Sequence, residues 1–323
     1  MKILIIKLGA LGDVINTLPL AISLKKHLKA EIHWLVAPLS FPLIRDHQYV
    51  DRVILFDKKN LMSSLYGTIK QIRQTQYDIV LDLQRLLKSG FFCMVAKSDR
   101  KIGFDKKRCK ELSWLFPFER INPGDPESHM LLQYIEFADY LKIPSDKISW
   151  EIPWVKHPVK SGFNIDPGYI VLNIGATKPA NRWKPEYFAE LADMIENKTD
   201  LKSVITGGAS DRQCADIIQS KANCTIENLC GKTSLQELSN IIANAKCVVS
   251  CDTGPMHLSV ALGTNLIALF GPSNPGRTGP FQGSVIQLKL KCVPCNRKKC
   301  NDPICMDKIT PDHVMNELLK KLK

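Results

Sequence analysis

The stretch from Ser250 to Phe281, SCDTGPMHLSVALGTNLIALFGPSNPGRTGPF, restricts what this chain can fold into more than any other. It follows Lys246 to Ser250 (KCVVS), short, apolar and β-branched, which suits a strand buried within a parallel sheet. Asp252, Thr253 and Gly254 then read as a strand-to-helix turn, and Pro255 suits the first helical position, where no amide donor is needed. A short helix follows over Met256 to Leu262. Its free amides and positive dipole end face the turn, a geometry that favours a phosphate. A second strand, Asn265 to Phe270, runs into the Gly/Pro-rich loop Gly271 to Gly283. Two neighbouring strand ends thus bring glycine-bearing loops to one sheet edge, where α/β folds hold ligands. Asp252 and His257 flank the helix start and favour a ligand site over a plain βαβ turn.

The amino terminus opens with a buried strand, Lys2 to Lys7, then Leu8-Gly9-Ala10-Leu11-Gly12-Asp13 and a helix from about Val14 to Leu28. The two glycines allow close backbone approach. Asp13 has two readings: a carboxylate capping free amides, or a general base at the mouth of a cleft. Strands at Glu31 to Ala37, Arg52 to Phe56, Tyr77 to Leu83 and Lys101 to Phe104 alternate with helices near Pro38 to Asp46, Leu61 to Thr75 and Lys88 to Lys97. Asp105 to Arg120 is basic and aromatic without periodicity and reads as loop; Ser128 to Leu141 has amphipathic helical spacing. Pro153 to Pro167, with three prolines, reads as a domain boundary, dividing residues 1–155 from 156–323. Beyond it the alternation restarts: strand Tyr169 to Ile174, helix Pro185 to Asn197, strand Lys202 to Thr206, the turn Gly207-Gly208, and helix Asp211 to Lys221. Strand Thr225 to Leu229 and helix Ser234 to Ala243 lead back to the opening stretch. The expected fold class is α/β, two doubly wound parallel sheets, with a cleft between the halves as the default site.

Charge and cysteine content narrow the partners. Lysine plus arginine outnumber aspartate plus glutamate, 44 − 32 = +12. Such a balance suits nucleic acid, an anionic membrane surface or a phosphorylated substrate, or is simply a basic surface. The basic residues are dispersed and form no recognisable nucleic-acid motif. Lys7 and Asp13 interrupt the only signal-like run, and no apolar stretch approaches the roughly 18 residues that span a bilayer. A cytoplasmic chain, soluble or peripheral, is expected. Its 11 cysteines are scattered, which suits reduced thiols. Four of them, Cys292, Cys295, Cys300 and Cys305, are spaced C-x2-C-x4-C-x4-C. That spacing allows a structural zinc ion, two local disulfides or free thiols. Thr310 to Leu322 reads as a closing amphipathic helix that can return to the first domain.

Three segments, KLGALGDVINTLPL, NIGATKPANRWKPEYFAEL and CDTGPMHLSVALG with ALFGPSNPGRTGP, carry a resemblance over nearly the whole chain. It resembles the ADP-heptose:lipopolysaccharide heptosyltransferases of glycosyltransferase family nine. The resemblance implies a GT-B fold of two Rossmann-like domains, the first binding acceptor and the second the nucleotide sugar. It implies that Asp252, Thr253, Gly254, Met256 and His257 hold the donor's diphosphate and sugar, with Thr177 and Lys178 on the same side. It implies that Gly207, Gly208 and Asp211 approach the ribose, and that Asp13 deprotonates the acceptor hydroxyl for inverting attack. No cofactor is implied for catalysis. Lys7, Arg85 and His129 are the residues that can meet an anionic acceptor, Kdo–lipid A or its heptosylated form, at the inner face of the inner membrane. Another nucleotide-sugar donor or glycan acceptor, or a non-catalytic sugar-nucleotide-binding protein, are the alternatives. One departure stands out: the family commonly reads Lys-Arg-Trp-Pro where this chain has Asn181-Arg182-Trp183-Lys184. Lys178, Arg182 and Lys184 are then the candidates to supply the missing charge to the donor phosphates.

Overall fold

The computed structural model describes residues 1–144, 147–154, 163, 165 and 168–323. The chain divides into two compact units, Met1–Pro153 and Trp154–Lys323. The proline-rich boundary expected at 153–167 lies mostly outside the described residues.

In the first unit, strands β1 (Lys2–Ile6), β2 (Glu31–Val36), β3 (Arg52–Leu55), β4 (Ile79–Asp82), β5 (Arg100–Gly103) and β6 (Glu119–Arg120) form one sheet. Its order is β3-β2-β1-β4-β5-β6, and every pairing is parallel. The second unit repeats the plan with β7 (Tyr169–Asn173), β8 (Lys202–Thr206), β9 (Ile226–Asn228), β10 (Cys247–Cys251), β11 (Leu266–Phe270) and β12 (Ser284–Gln287). Its order, β12-β11-β10-β7-β8-β9, is the same topology and is again all parallel. Both are the doubly wound order of the dinucleotide-binding fold, with the direction of winding reversing between β1 and β4 and between β7 and β10. Central strands form where apolar residues run without alternation: β7, β10 and β11 are buried at every position.

Helices α1 (Leu11–Leu28), α2 (Phe41–Arg45), α3 (Leu61–Arg73), α4 (Leu87–Val95) and α5 (Met130–Tyr140) belong to the first unit. Helices α6 (Pro185–Thr199), α7 (Arg212–Lys221), α8 (Leu235–Asn244), α9 (Gly254–Ala261), α10 (Pro275–Thr278), α11 (Ile304–Asp307) and α12 (Pro311–Leu322) belong to the second. Helix α5 packs along α1. Ser234 starts α8 with a capping box closed by Glu237.

Two strands differ from the sequence reading. β6 arises inside the stretch expected to be loop, and β12 had no apolar run to announce it. Both are at sheet edges and only partly buried, so hydrophobic pattern carries little signal there. The closing helix α12 places Val314, Met315 and Leu318 in the core of the second unit and packs on α6, β10 and β11.

Candidate functional site

Each unit carries polar residues at its own switch point, where the loops after two diverging strands leave the sheet and ligands bind in this topology. In the first unit these loops follow β1 and β4. Gln84, just past β4, accepts hydrogen bonds from the amides of Leu8 (3.0 Å) and Gly9 (3.4 Å), which ties the two loops together. The next turn of chain, α1, then presents Asp13. Its carboxylate accepts from the Tyr134 hydroxyl at 3.1 Å and lies 3.5 Å from the Lys7 ammonium. Lys7 is 2% exposed, while 35% of the Asp13 side chain is open to solvent. The carboxylate is thus accessible to solvent while Lys7 is buried behind it. The Lys7 amine also approaches the Leu83 carbonyl and the Tyr134 ring, whose centroid is 4.9 Å away. Burial pushes the Lys7 amine below its usual value, with Asp13 pulling it back up and Arg85 adding to the depression.

Arg85 sits beside this group with a left-handed backbone, φ 66°. It is buried, its guanidinium lies 4.9 Å from the Phe104 ring centroid, and its side-chain contacts are long: 3.4 Å to Gln133 Oε1 and 3.5 Å to Met130 Sδ. Its Nε has no hydrogen-bond partner. A buried cation so weakly satisfied is suited to an anionic ligand. Asp82, at the end of β4, is turned inward, accepting from the amides of Gln84 and Arg85; burial lifts its carboxyl above the usual range. His129 caps α5, its Nδ1 accepting from the Leu131 amide at 3.2 Å. Sequence reasoning missed Tyr134. Its position on the core-facing stripe of α5 marks it only as a packing residue.

In the second unit the loops after β7 and β10 meet. Asn181, 1% exposed, donates from Nδ2 to Asp252 Oδ2 (2.9 Å) and to Ser273 Oγ (3.1 Å). Burial lifts the Asp252 carboxyl above its usual range, while the hydrogen bond from Ser273, the Lys178 charge and Asn181 pull it down. Thr253 is the extended residue before α9, and Gly254 opens the helix. His257 is 8% exposed on α9. The Met256 side chain is fully buried and its amide donates to the Thr253 carbonyl, so it supports the turn from beneath.

Each of the three basic residues near the Asn181 position has an acidic neighbour. Arg182 donates to Asp211 at 2.8 Å, and Lys184 pairs with Asp307 at 3.0 Å. Lys178 is the candidate whose charge acts on Asp252. Asp211 is tied into its own turn: its Oδ1 takes the Arg182 hydrogen bond and its Oδ2 the Gly208 amide at 2.9 Å, so this buried carboxylate braces the glycine turn. The turn is packed tightly: a Cβ on Gly207 would come 2.6 Å from Cys230 Sγ, and one on Gly231 (φ 67°) would come 2.7 Å from Ala209 Cα. Lys232 is taken by the Asn228 carbonyl at 2.6 Å, a local contact. Thr177 is exposed on the same loop as Lys178.

In the cysteine segment expected to allow a zinc ion, no three His, Cys, Asp or Glu side chains among the described residues are assembled as a metal site. Cys300 turns to the Asp302 carbonyl, Cys305 is buried on α11, Cys292 and Cys295 are exposed, and all four are free thiols. The segment also has a structural role. The amides of Cys295 and Asn296 donate to the Pro272 carbonyl, and the Lys298 carbonyl accepts from Ala180. It therefore fastens the loop after β11 to the loop bearing Asn181.

Residues 66–304 match the sequence profile of Glycosyltransferase family 9 (heptosyltransferase). The chain is similar to the lipopolysaccharide core heptosyltransferase OpsX of Haemophilus influenzae, 28% identical over 284 residues that cover 86% of this chain and 81% of that one. In fold it is similar to E. coli ADP-heptose lipopolysaccharide heptosyltransferase II, with TM-score 0.82 at 24% identity over 100% of this chain and 98% of that one. It is equally similar to E. coli heptosyltransferase WaaC solved with ADP, with TM-score 0.82 at 23% identity over 99% and 100%. Two parallel six-stranded Rossmann-like units with flanking helices are the GT-B architecture of those structures. With the matched profile covering nearly three-quarters of its length, this chain belongs to glycosyltransferase family 9.

Proposed function

We propose that this enzyme transfers heptose from ADP-heptose to the inner core of lipopolysaccharide, onto Kdo or a first heptose, at the cytoplasmic face of the inner membrane. The observation that carries the reading is the Asp13 carboxylate, accessible at a switch point and gripped by buried Lys7 and Tyr134. Asp13 accepts the proton of the acceptor hydroxyl as its oxygen attacks the anomeric carbon. ADP departs from the opposite face, so the configuration inverts. Lys7 lies beside the Asp13 carboxylate as its counter-charge, and Tyr134 holds its orientation. Arg85 takes an anionic group of the acceptor, consistent with its unpartnered Nε.

On the donor side, amides at the start of α9 and the Lys178 charge meet the negative charge that builds on the leaving diphosphate, with no step assigned to a metal. Asp252, partly buried and fixed by Asn181, orients the sugar through its hydroxyls. His257 and Thr253 border the same turn. The buried Asn181 favours one second reading, the same reaction with a different nucleotide sugar. The test is transfer to Kdo–lipid A, with and without a first heptose, from ADP-heptose against UDP- and GDP-sugars. Product from ADP-heptose on one acceptor supports the reading and fixes the step. Product only from another nucleotide sugar replaces it with the second.

A further inference from the structure

The first unit carries an apolar surface that no part of the mechanism uses. On α3, Met62 and Tyr66 stand one helical turn apart and are 82% and 72% exposed. On α4, Phe91 and Met94 point outward in the same way, and in the 105–116 loop Trp114 and Leu115 do so, Leu115 being 61% exposed. Soluble surfaces scatter such residues singly; a contiguous group marks a docking site.

The three segments are contiguous. Helix α3 packs on α4. The loop is held to the start of α4 by Lys110 N and Ser113 Oγ, both donating to the Arg85 carbonyl, and by the Leu87 amide donating to Glu111. Phe116 lies directly against Gly90 of α4. Burial, joined by the neighbouring amine of Lys58 in the turn before α3, pushes the Lys88 amine of α4 down to about 8.

Charge is sorted around this face. Lys58, Lys59, Lys106, Lys107 and Lys110 are exposed. Lys106 lies over the Trp114 ring at 4.1 Å. The nearby carboxylates are turned to internal partners: Asp57 accepts from Lys59 N and Asn60, Glu111 from Leu87 N, and Asp105 pairs with buried Arg108. An outward surface of Met, Phe, Leu, Tyr and Trp ringed by lysines is complementary to a bilayer interface. Apolar tips enter the acyl boundary, amphipathic rings sit at headgroup level and lysines reach anionic headgroups.

The geometry points to this face, built from the 58–66 segment, α4 and the 105–116 loop, as the surface by which the enzyme docks on an anionic lipid bilayer. The inference rests on the lipid-linked acceptor proposed above and names the surface that brings the enzyme to it.

The test is co-sedimentation of the full chain with vesicles of phosphatidylethanolamine and phosphatidylglycerol, against vesicles of phosphatidylcholine alone. Wild type is expected to bind the anionic vesicles, with binding lost at high salt. The exposed triple substitution Met62→Ser, Phe91→Ser, Leu115→Ser and the pair Lys59→Glu, Lys107→Glu are each expected to weaken binding at least about 10-fold. Transfer to a deacylated, water-soluble acceptor remains at the wild-type rate in both, because no substituted residue belongs to the site. Equal binding of wild type and both variants overturns the assignment of the face. Absence of vesicle binding overturns it too, as does wild-type dimerisation through this face, lost in the serine variant. Failure of transfer from ADP-heptose with vesicle binding intact instead overturns the functional reading and leaves the docking face standing.

Discussion

Replacing Asn181 by leucine tests how the second unit fixes Asp252. Asn181 Nδ2 donates to the Asp252 carboxylate at 2.9 Å and to Ser273 Oγ at 3.1 Å, and the residue is 1% exposed. Leucine conserves volume and deletes both donors. A hydrogen bond to an ionised acceptor contributes about 1.5–3 kcal/mol and one to a neutral hydroxyl about 0.5–1.5 kcal/mol. Asn181→Leu therefore destabilises the second unit by about 2–4 kcal/mol near neutral pH. For a domain of this size that is a fall in Tm of roughly 5–15 °C. The loss depends on pH in a defined direction. The Asp252 carboxyl is raised by burial in the folded state, so folding favours its protonated form. Its contribution to stability therefore falls as pH rises from its unfolded to its folded value. Removing a donor to the ionised form raises the folded value further, so the deficit of the variant widens as pH rises. Calorimetry at about pH 5 and about pH 8 reads both the size and the sign. A variant within about 1 °C of wild type at both pH values refutes the reading of Asn181 as the brace of Asp252.

Three further outcomes follow from the geometry. Tyr134→Phe removes one hydrogen bond to Asp13 and lowers kcat about 10-fold, with the KM for nucleotide sugar unchanged in steady-state kinetics. Lys7→Met abolishes transfer and changes pH-dependent unfolding. Because burial holds the folded Lys7 value below 10.5, wild type gains stability as pH rises towards 10.5, and the variant loses that gain in chemical denaturation series. Gly231→Ala and Gly263→Ala share a left-handed φ, 67° and 72°, but only the first puts a Cβ 2.7 Å from backbone. Titration calorimetry should find ADP affinity reduced by the first and intact in the second, while both lose about 1 kcal/mol or more of stability.

The central strands of both sheets were legible because β-branched apolar runs such as KILII and CVVSC have no alternative to full burial. The strand-to-helix turns were legible from glycine, proline and a following helical pattern. That is why Asp13 and Asp252 could be found as candidates at the two switch points. What eluded the sequence depends on long-range partners. Tyr134 is 121 residues from Asp13 and Asn181 is 71 from Asp252, so nothing local distinguishes either from a packing residue. The Arg182–Asp211 pair, which braces the glycine turn, joins residues 29 apart on different loops. Cysteine spacing measures proximity along the chain only, so it left zinc, disulfides and free thiols open together. Edge strands β6 and β12 lack the two-sided burial that makes a pattern readable.

The account turns on Asp13, and its removal is the most direct measurement. Single-turnover transfer from ADP-heptose to lipid A carrying the Kdo core is compared between wild type and Asp13→Ala, with ADP affinity measured by titration calorimetry on the same samples. A general base contributes about 100- to 10,000-fold, so the account predicts a rate loss of that size or greater with ADP affinity unchanged. A variant that retains transfer within about 10-fold of wild type contradicts the assignment of Asp13 as the base.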